Sequence, residues 1–253
     1  MLIDINAWTG RWNTHPVKGD ITTVRESLTA CRIEWICLSP LDAAWCPNQH
    51  RYNHIVYEAA SKFSNIIPVP ILDPTLPTWR EELEQMLTQS RLGLVKLLPG
   101  YAPYNLTEAD TLCGVLAEQK IGVIVQTRID DPRHQHPLAR TEDVPAEHIA
   151  DLAERHPDLT VIAGGPTTVA IRSLRGRLLT LPNLYADVSQ ADGMDALLTM
   201  VREGLTHKLL FGSHAPLFVP HAAMARVVND LAEEDAEAIL GGNADRMFCF
   251  NNL

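Results

Sequence analysis

Short apolar, β-branched runs recur along the chain and alternate with stretches of helical spacing. The runs are Leu2–Trp8, Ile33–Pro40, Ile66–Asp73, Leu92–Leu98, Gly122–Arg128, Thr160–Gly164, Asn183–Ser189 and Lys208–His214. Between them, Thr78–Arg91 places Trp79, Leu83, Met86 and Leu87 on one face. Thr107–Lys120 opens on Thr107 with Asp110 three residues on, the spacing of a capping box. Pro145–His156 begins with proline at a first-turn position and repeats apolar residues at Ile149, Leu152 and Ala153. Strands alternating with helices imply right-handed crossovers and a parallel sheet. Eight such repeats in 253 residues predict an α/β chain closed into one (β/α)8 barrel, a single domain over residues 1–253. A doubly wound open sheet is the weaker fit, because no glycine-rich dinucleotide fingerprint follows the first strand.

In such a barrel, chemistry sits where strands end and the following loops begin. The longest of these loops are predicted at Thr9–Ile21, Leu41–Asn53 and Ile129–Val144. Side chains alternate along a strand, and the outward ones, under the helices, are expected to be apolar. That parity sends Ile3, Ile5 and Ala7 outward and Asp4, Asn6 and Trp8 inward. It also turns Lys96, Gln126, Tyr185, Asp187, Ser189 and His214 inward. Asn6, Trp8, Lys96, Gln126, Asp187 and His214 are thereby predicted to gather near one mouth of the barrel.

Composition narrows the partners. Lys plus Arg total 21 against 31 Asp plus Glu, a formal net charge of -10. Without basic clusters the chain lacks the footprint of a nucleic-acid or anionic-membrane binder. No apolar run reaches the roughly 20 residues of a membrane helix, and the opening MLIDINAW does not read as a signal peptide. The five cysteines include no pair at zinc-knuckle or redox-dithiol spacing, which favours a reducing, cytoplasmic setting. A small-molecule substrate or ligand is the expected partner. Barrels of this size often pair, so a homodimer is one expected assembly.

Six segments carry a family resemblance through their order and spacing. They are IDINAWTG, VKLLPGY, HPDLTVIAGGP, LYADVS, LLFGSHAP and ILGGNADRMF. Together they resemble the amidohydrolase superfamily, in the branch of aminocarboxymuconate-semialdehyde decarboxylase and pyrone-dicarboxylate lactonase. The resemblance implies a barrel with metal ligands at its strand ends. The family's first strand reads Asp-x-His-x-His, but here those histidine positions are Asn6 and Trp8. The strand-5 and strand-6 histidines fall at Gln126 and Gly164, and the strand-8 aspartate aligns with His214.

Those replacements oppose a metal. Gly164 has no side chain, and Trp8 offers only an N–H donor. Amide oxygens of Asn6 and Gln126 are poor zinc ligands, which leaves His214 alone where about three are needed. No metal and no cofactor are therefore expected. An alternative is a rewired site at His50 and His54, spaced to share a helix face, or at His134 and His136 in the loop after strand 5. The same histidines also read as solvated or capping loop residues, as do His15 and His221.

The remaining chemistry centres on His214, either a general base or a hydrogen-bonded core histidine. Lys96, inside an apolar strand, needs an anion, either Asp187 in a structural ion pair or a substrate oxygen. Arg128 suits a carboxylate, or is a solvated loop arginine. Tyr101, Ser189 and Ser213 are possible hydrogen-bond donors. Trp12, Trp45 and Tyr52 form either a lid or packing between loops. The resemblance adds a precedent for lactonases that work without a bound metal, so a lactonase-like hydrolase acting on a small carboxylated or sugar-derived substrate is expected. Its site would have Lys96 and Arg128 hold substrate oxygens, His214 activate water and Asp187 support Lys96. A catalytically degenerate relative, binding a small molecule or a partner subunit, is the alternative. The two predict different geometry: a working site needs Lys96, Arg128 and His214 converging on one point.

Overall fold

The computed structural model describes residues 1–102 and 104–253. Among the described residues are eight parallel strands: β1 Ile3–Thr9, β2 Trp35–Pro40, β3 Ile66–Pro68, β4 Leu94–Leu97, β5 Gly122–Gln126, β6 Val161–Gly164, β7 Leu184–Asp187 and β8 Leu209–Leu210. The strands pair in the orders β1-β2-β3 and β4-β5-β6-β7-β8. Backbone bonds join both seams. Lys96 N–H donates to the Pro70 carbonyl between β3 and β4. Ile5 N–H donates to Phe211 O and His214 N–H to Asn6 O between β8 and β1. The result is a closed TIM barrel, as the strand–helix alternation predicts.

The helices are α1 Ile21–Ala30, α2 Asn53–Lys62, α3 Trp79–Gln89, α4 Asp110–Glu118, α5 Ala146–Arg155, α6 Thr168–Ser173, α7 Arg175–Thr180, α8 Ala196–Arg202, α9 Pro220–Asp230, α10 Glu233–Glu237 and α11 Asn243–Phe248. Their apolar faces cover the outward side chains of the strands, including Ala7, Val95, Leu97, Val123, Val125, Ala186, Leu209 and Phe211. Inside, Leu94, Ile124, Ile162 and Leu210 form a floor with Phe250.

Local expectations are corrected in six places. Ile3 and Ile5 belong to the floor, not to the outer layer. The register between β1 and β2 shifts between Asp4 and Ala7, so Ile5 and Asn6 together stand opposite Cys37. This bulge puts two consecutive side chains inside. Asp4 accordingly pairs with Ile36, a residue of the outer layer, rather than pointing inward. There its carboxylate accepts from the backbone N–H groups of Asn6 and Ser213 and from Ser213 Oγ. Burial pushes Asp4 up to about 6.

Helix ends differ as well. Thr107 and Asp110 form no capping box, since α4 starts at Asp110 without a side-chain cap. Asp110 instead accepts from Arg155, and Glu108 accepts from Asn105 N–H. Pro145 stands at the N-cap of α5, one residue before the first turn. Leu87 is half exposed rather than part of the buried face of α3. Finally, β3 and β8 are shorter than their apolar runs, and beyond β3 only an isolated bridge, Ile71 to Lys96, continues the pairing.

Candidate functional site

Strand ends β1, β4, β5, β7 and β8 bring Asn6, Trp8, Lys96, Gln126, Asp187 and His214 together, all at most 1% exposed. Asn6 is the hub. Its Oδ1 accepts from Lys96 Nζ at 2.7 Å, and its Nδ2 donates to Asp187 Oδ2 at 2.7 Å and Gln126 Oε1 at 3.2 Å. Asp187 also accepts from the backbone N–H groups of Gly165 and Ser189, both at 2.8 Å. The expected direct Lys96–Asp187 ion pair is therefore replaced by a relay through the Asn6 amide. Lys96 lies over the Trp8 ring, 3.6 Å from its centroid. Burial pulls Lys96 down to about 7, against the attraction of Asp187 and Asp4.

His214 is fully committed. Trp8 Nε1 donates to His214 Nδ1 at 3.4 Å, and His214 Nε2 is 2.7 Å from the Ile129 carbonyl. That pattern fits a neutral ring protonated at Nε2, donating to Ile129 O. Burial pulls the imidazole down to about 4, in keeping with the neutral form. Its lone pair thus faces an indole N–H instead of a water. Above this layer Trp12, Trp45 and Tyr101 contact one another, with ring centroids 5.4–6.1 Å apart. Tyr52 packs against the same cluster. Trp12 Nε1 donates to Asp130, and Tyr101 Oη accepts from Ile129 N–H. These aromatics seal the mouth.

The metal-ligand positions implied by the resemblance do not fit an ion. A Cβ added at Gly164 would stand 2.7 Å from Ile124 Cγ2 and 2.8 Å from Gln126 Oε1, leaving no room for a ligand there. The amides of Asn6 and Gln126 are bonded to each other, and the His214 lone pair faces Trp8. Among the described residues no group of three or more His, Cys, Asp or Glu side chains gathers as a metal would require.

The loop histidines have separate partners. His50 lies in a 3₁₀ turn before α2, so it does not share a helix face with His54. Its Nε2 accepts from Asp73 N–H, its Nδ1 contacts Thr78 Oγ1, and burial pulls it down to about 4. His54 Nδ1 contacts the Arg51 carbonyl. His134 lies 3.7 Å from Asp130, while His136 Nδ1 accepts from Leu138 N–H.

Arg128 turns away from Lys96. Its Nε donates to Gln190 Oε1 at 2.7 Å, and its guanidinium lies 3.6 Å from Asp143. The convergence of Lys96, Arg128 and His214 on one point is not formed. Arg128 instead lines a cleft of about 350 Å³ beside the sealed centre, with Ser189, Gln190, Phe218 and Arg226. The two sites touch: Gln190 Nε2 lies 3.2 Å from His214 Nε2, and the Phe218 ring packs tilted against His214, centroids 5.1 Å apart. Sequence reasoning missed Gln190, Phe218 and Arg226. The signal was the spacing of Ala222, Ala223 and Arg226, one face of a helix after strand 8.

The amidohydrolase family model matches residues 41–250. No curated protein sequence matches the chain. An uncharacterized TIM-barrel protein from Bordetella bronchiseptica is 18% identical, with 97% of each chain covered and a TM-score of 0.70. The 5-carboxyvanillate decarboxylase of Sphingomonas paucimobilis is 13% identical, with 98% of each chain covered and a TM-score of 0.73. A dihydroxybenzoic acid decarboxylase from Polaromonas sp. JS666, solved with manganese and the inhibitor 2-nitroresorcinol, is 17% identical. That match covers 99% of this chain and 97% of the decarboxylase, with a TM-score of 0.68. At these identities the likeness establishes the fold.

Proposed function

The chain belongs to the amidohydrolase family, and on that premise we propose that it is a catalytically silent relative that binds a small molecule beside its former centre. One observation carries this reading: the Trp8 indole fills the mouth over Lys96 and donates to His214, while Asn6 bonds Gln126 and Asp187. A working centre needs donors and acceptors aimed at a substrate, with some of them free. Here each of these groups is directed at another protein group. The cleft at Arg128 keeps open polar groups and apolar walls, the ordinary composition of a ligand pocket.

The test is metal content and turnover. Protein grown with zinc and manganese, and purified without chelator or histidine tag, is expected to carry less than about a tenth of an equivalent of either metal. A chelator is expected to leave its melting temperature unchanged. Near one equivalent of metal, or turnover that a chelator abolishes, overturns the reading.

A second, hydrolytic reading draws on the lowered basicity of Lys96 and His214, which leaves both able to be neutral near physiological pH. In this metal-independent, lactonase-like scheme His214 activates water once Trp8 has swung aside. It predicts lactone hydrolysis that His214→Ala abolishes and Trp8→Ala preserves or raises.

A further inference from the structure

The cleft beside Phe218 contains a hydroxyl without a hydrogen-bond partner and a guanidinium without a paired carboxylate among the described residues. Arg226 donates to the backbone carbonyls of Ser189 and Ala191 and pairs with no carboxylate among the described residues. Asp192 and Asp230 attract it only at longer range. Ser189 is fully buried at the inner wall, and its Oγ has no hydrogen-bond partner. A buried hydroxyl without a partner and a sheltered guanidinium without a counter-ion are both costly. An anion placed between them relieves both.

We propose that this cleft binds a small monocarboxylate carrying an apolar body, with Arg226 and Ser189 holding the carboxylate. The proposal rests on the small-molecule reading above and names its ligand class. Charge selects a monoanion. Arg133, also on the wall, is neutralised by a two-toothed pair with Asp131. Arg128 is partly offset by Asp143. Arg226 is the arginine of this lining without a carboxylate in ion-pair reach among the described residues, and Asp192 in the same lining disfavours a dianion. The apolar part of the lining is Phe218 and Val219, which precede α9, and Ala222 and Ala223, which share the helix face that carries Arg226. Val219 is 64% exposed and Phe218 37%, an uncovered apolar surface that a ligand body would shield. The volume, about 350 Å³, lies at the small end of ligand pockets.

The test titrates the full-length chain by calorimetry with benzoate, benzyl alcohol and inorganic phosphate. Benzoate is expected to bind about tenfold more tightly than either of the others, the size of a hydrogen bond to a charged group. Arg226→Gln is expected to weaken benzoate about tenfold, with partial recovery in Arg226→Lys. Ser189→Ala, which removes only the unpartnered hydroxyl, is expected to weaken it severalfold with the fold intact by near-UV circular dichroism. Equal binding of benzyl alcohol overturns carboxylate recognition, and tighter phosphate overturns the monoanion. Benzoate binding undiminished in both Arg226→Lys and Ser189→Ala moves the site elsewhere and overturns the proposal. No binding by any probe overturns it too, whereas the metal and turnover measurements decide the wider reading separately.

Discussion

The ammonium of Lys96 lies 3.6 Å from the centroid of the Trp8 ring and donates to Asn6 Oδ1 at 2.7 Å. A desolvated cation over an indole face contributes about 2 kcal/mol or more. Trp8→Ala removes that contact and opens a hole in a fully buried layer. It is expected to lower unfolding free energy by about 3–5 kcal/mol in urea titrations. Trp8→Leu refills part of the volume without the ring face and is expected to recover only part of the loss. A loss below about 1 kcal/mol for the alanine variant would mean that the indole does not seal the mouth.

Gly164 has no room for a side chain. Even Gly164→Ala brings a methyl within 2.8 Å of Ile124 and Gln126. The expected cost is about 1–3 kcal/mol, and a co-substitution Gln126→Ala is expected to relieve part of it. Introducing histidines at Asn6 and Trp8 alone is therefore expected to give no stoichiometric zinc, checked by elemental analysis.

Asp4 is the acceptor for Asn6 N–H, Ser213 N–H and Ser213 Oγ. Asp4→Ala leaves all of them without an acceptor, at about 1–3 kcal/mol for each buried group. Asp4→Asn keeps one acceptor oxygen and is expected to cost less than half as much, measured by the same urea titration.

Stability is expected to depend on pH in both directions. His50 and His214 are held near 4, below the unfolded value of about 6.5, so the unfolded chain takes up protons first. Stability therefore falls as pH drops from 6.5 toward 4. Asp4, raised to about 6, keeps its proton longer in the folded chain and offsets part of that fall. Lys96 near 7 lies below its unfolded value of about 10.4, so stability rises as pH climbs above 7. Above roughly 8.5 the rise reverses, because burial holds the Cys37 and Cys113 thiols protonated while unfolded thiols ionise. Urea midpoints are expected to peak at about pH 8.5. In Lys96→Met the rise between 7 and 8 should vanish; a wild-type slope in that variant would assign the dependence to another group.

The barrel was legible because each strand's apolar alternation survives in the sequence. Lys96, Gln126, Asp187 and His214 could be placed inside by counting from Val95, Val125, Ala186 and Phe211. In strand 1 the same counting misplaced Ile3, Asp4 and Ile5. The alternation of Ile3, Ile5 and Ala7 is unbroken in sequence, and only the pairing with β2 reveals the bulge. The relay from Lys96 through Asn6 to Asp187 was equally hidden, because an asparagine carries no charge to pair by eye. The cleft is assembled from the loops after β5, β7 and β8 with α9, and no single stretch of sequence records that meeting.

The bulge at Ile5 and Asn6 also separates two phases within one strand. Below it the inward residues share the phase of the apolar floor, and above it they follow a phase of their own. Residues at the rim can be exchanged, ligand for amide or imidazole for indole, without shifting the floor by one position. The barrel can therefore lose one chemistry while its foundation continues to fold unchanged.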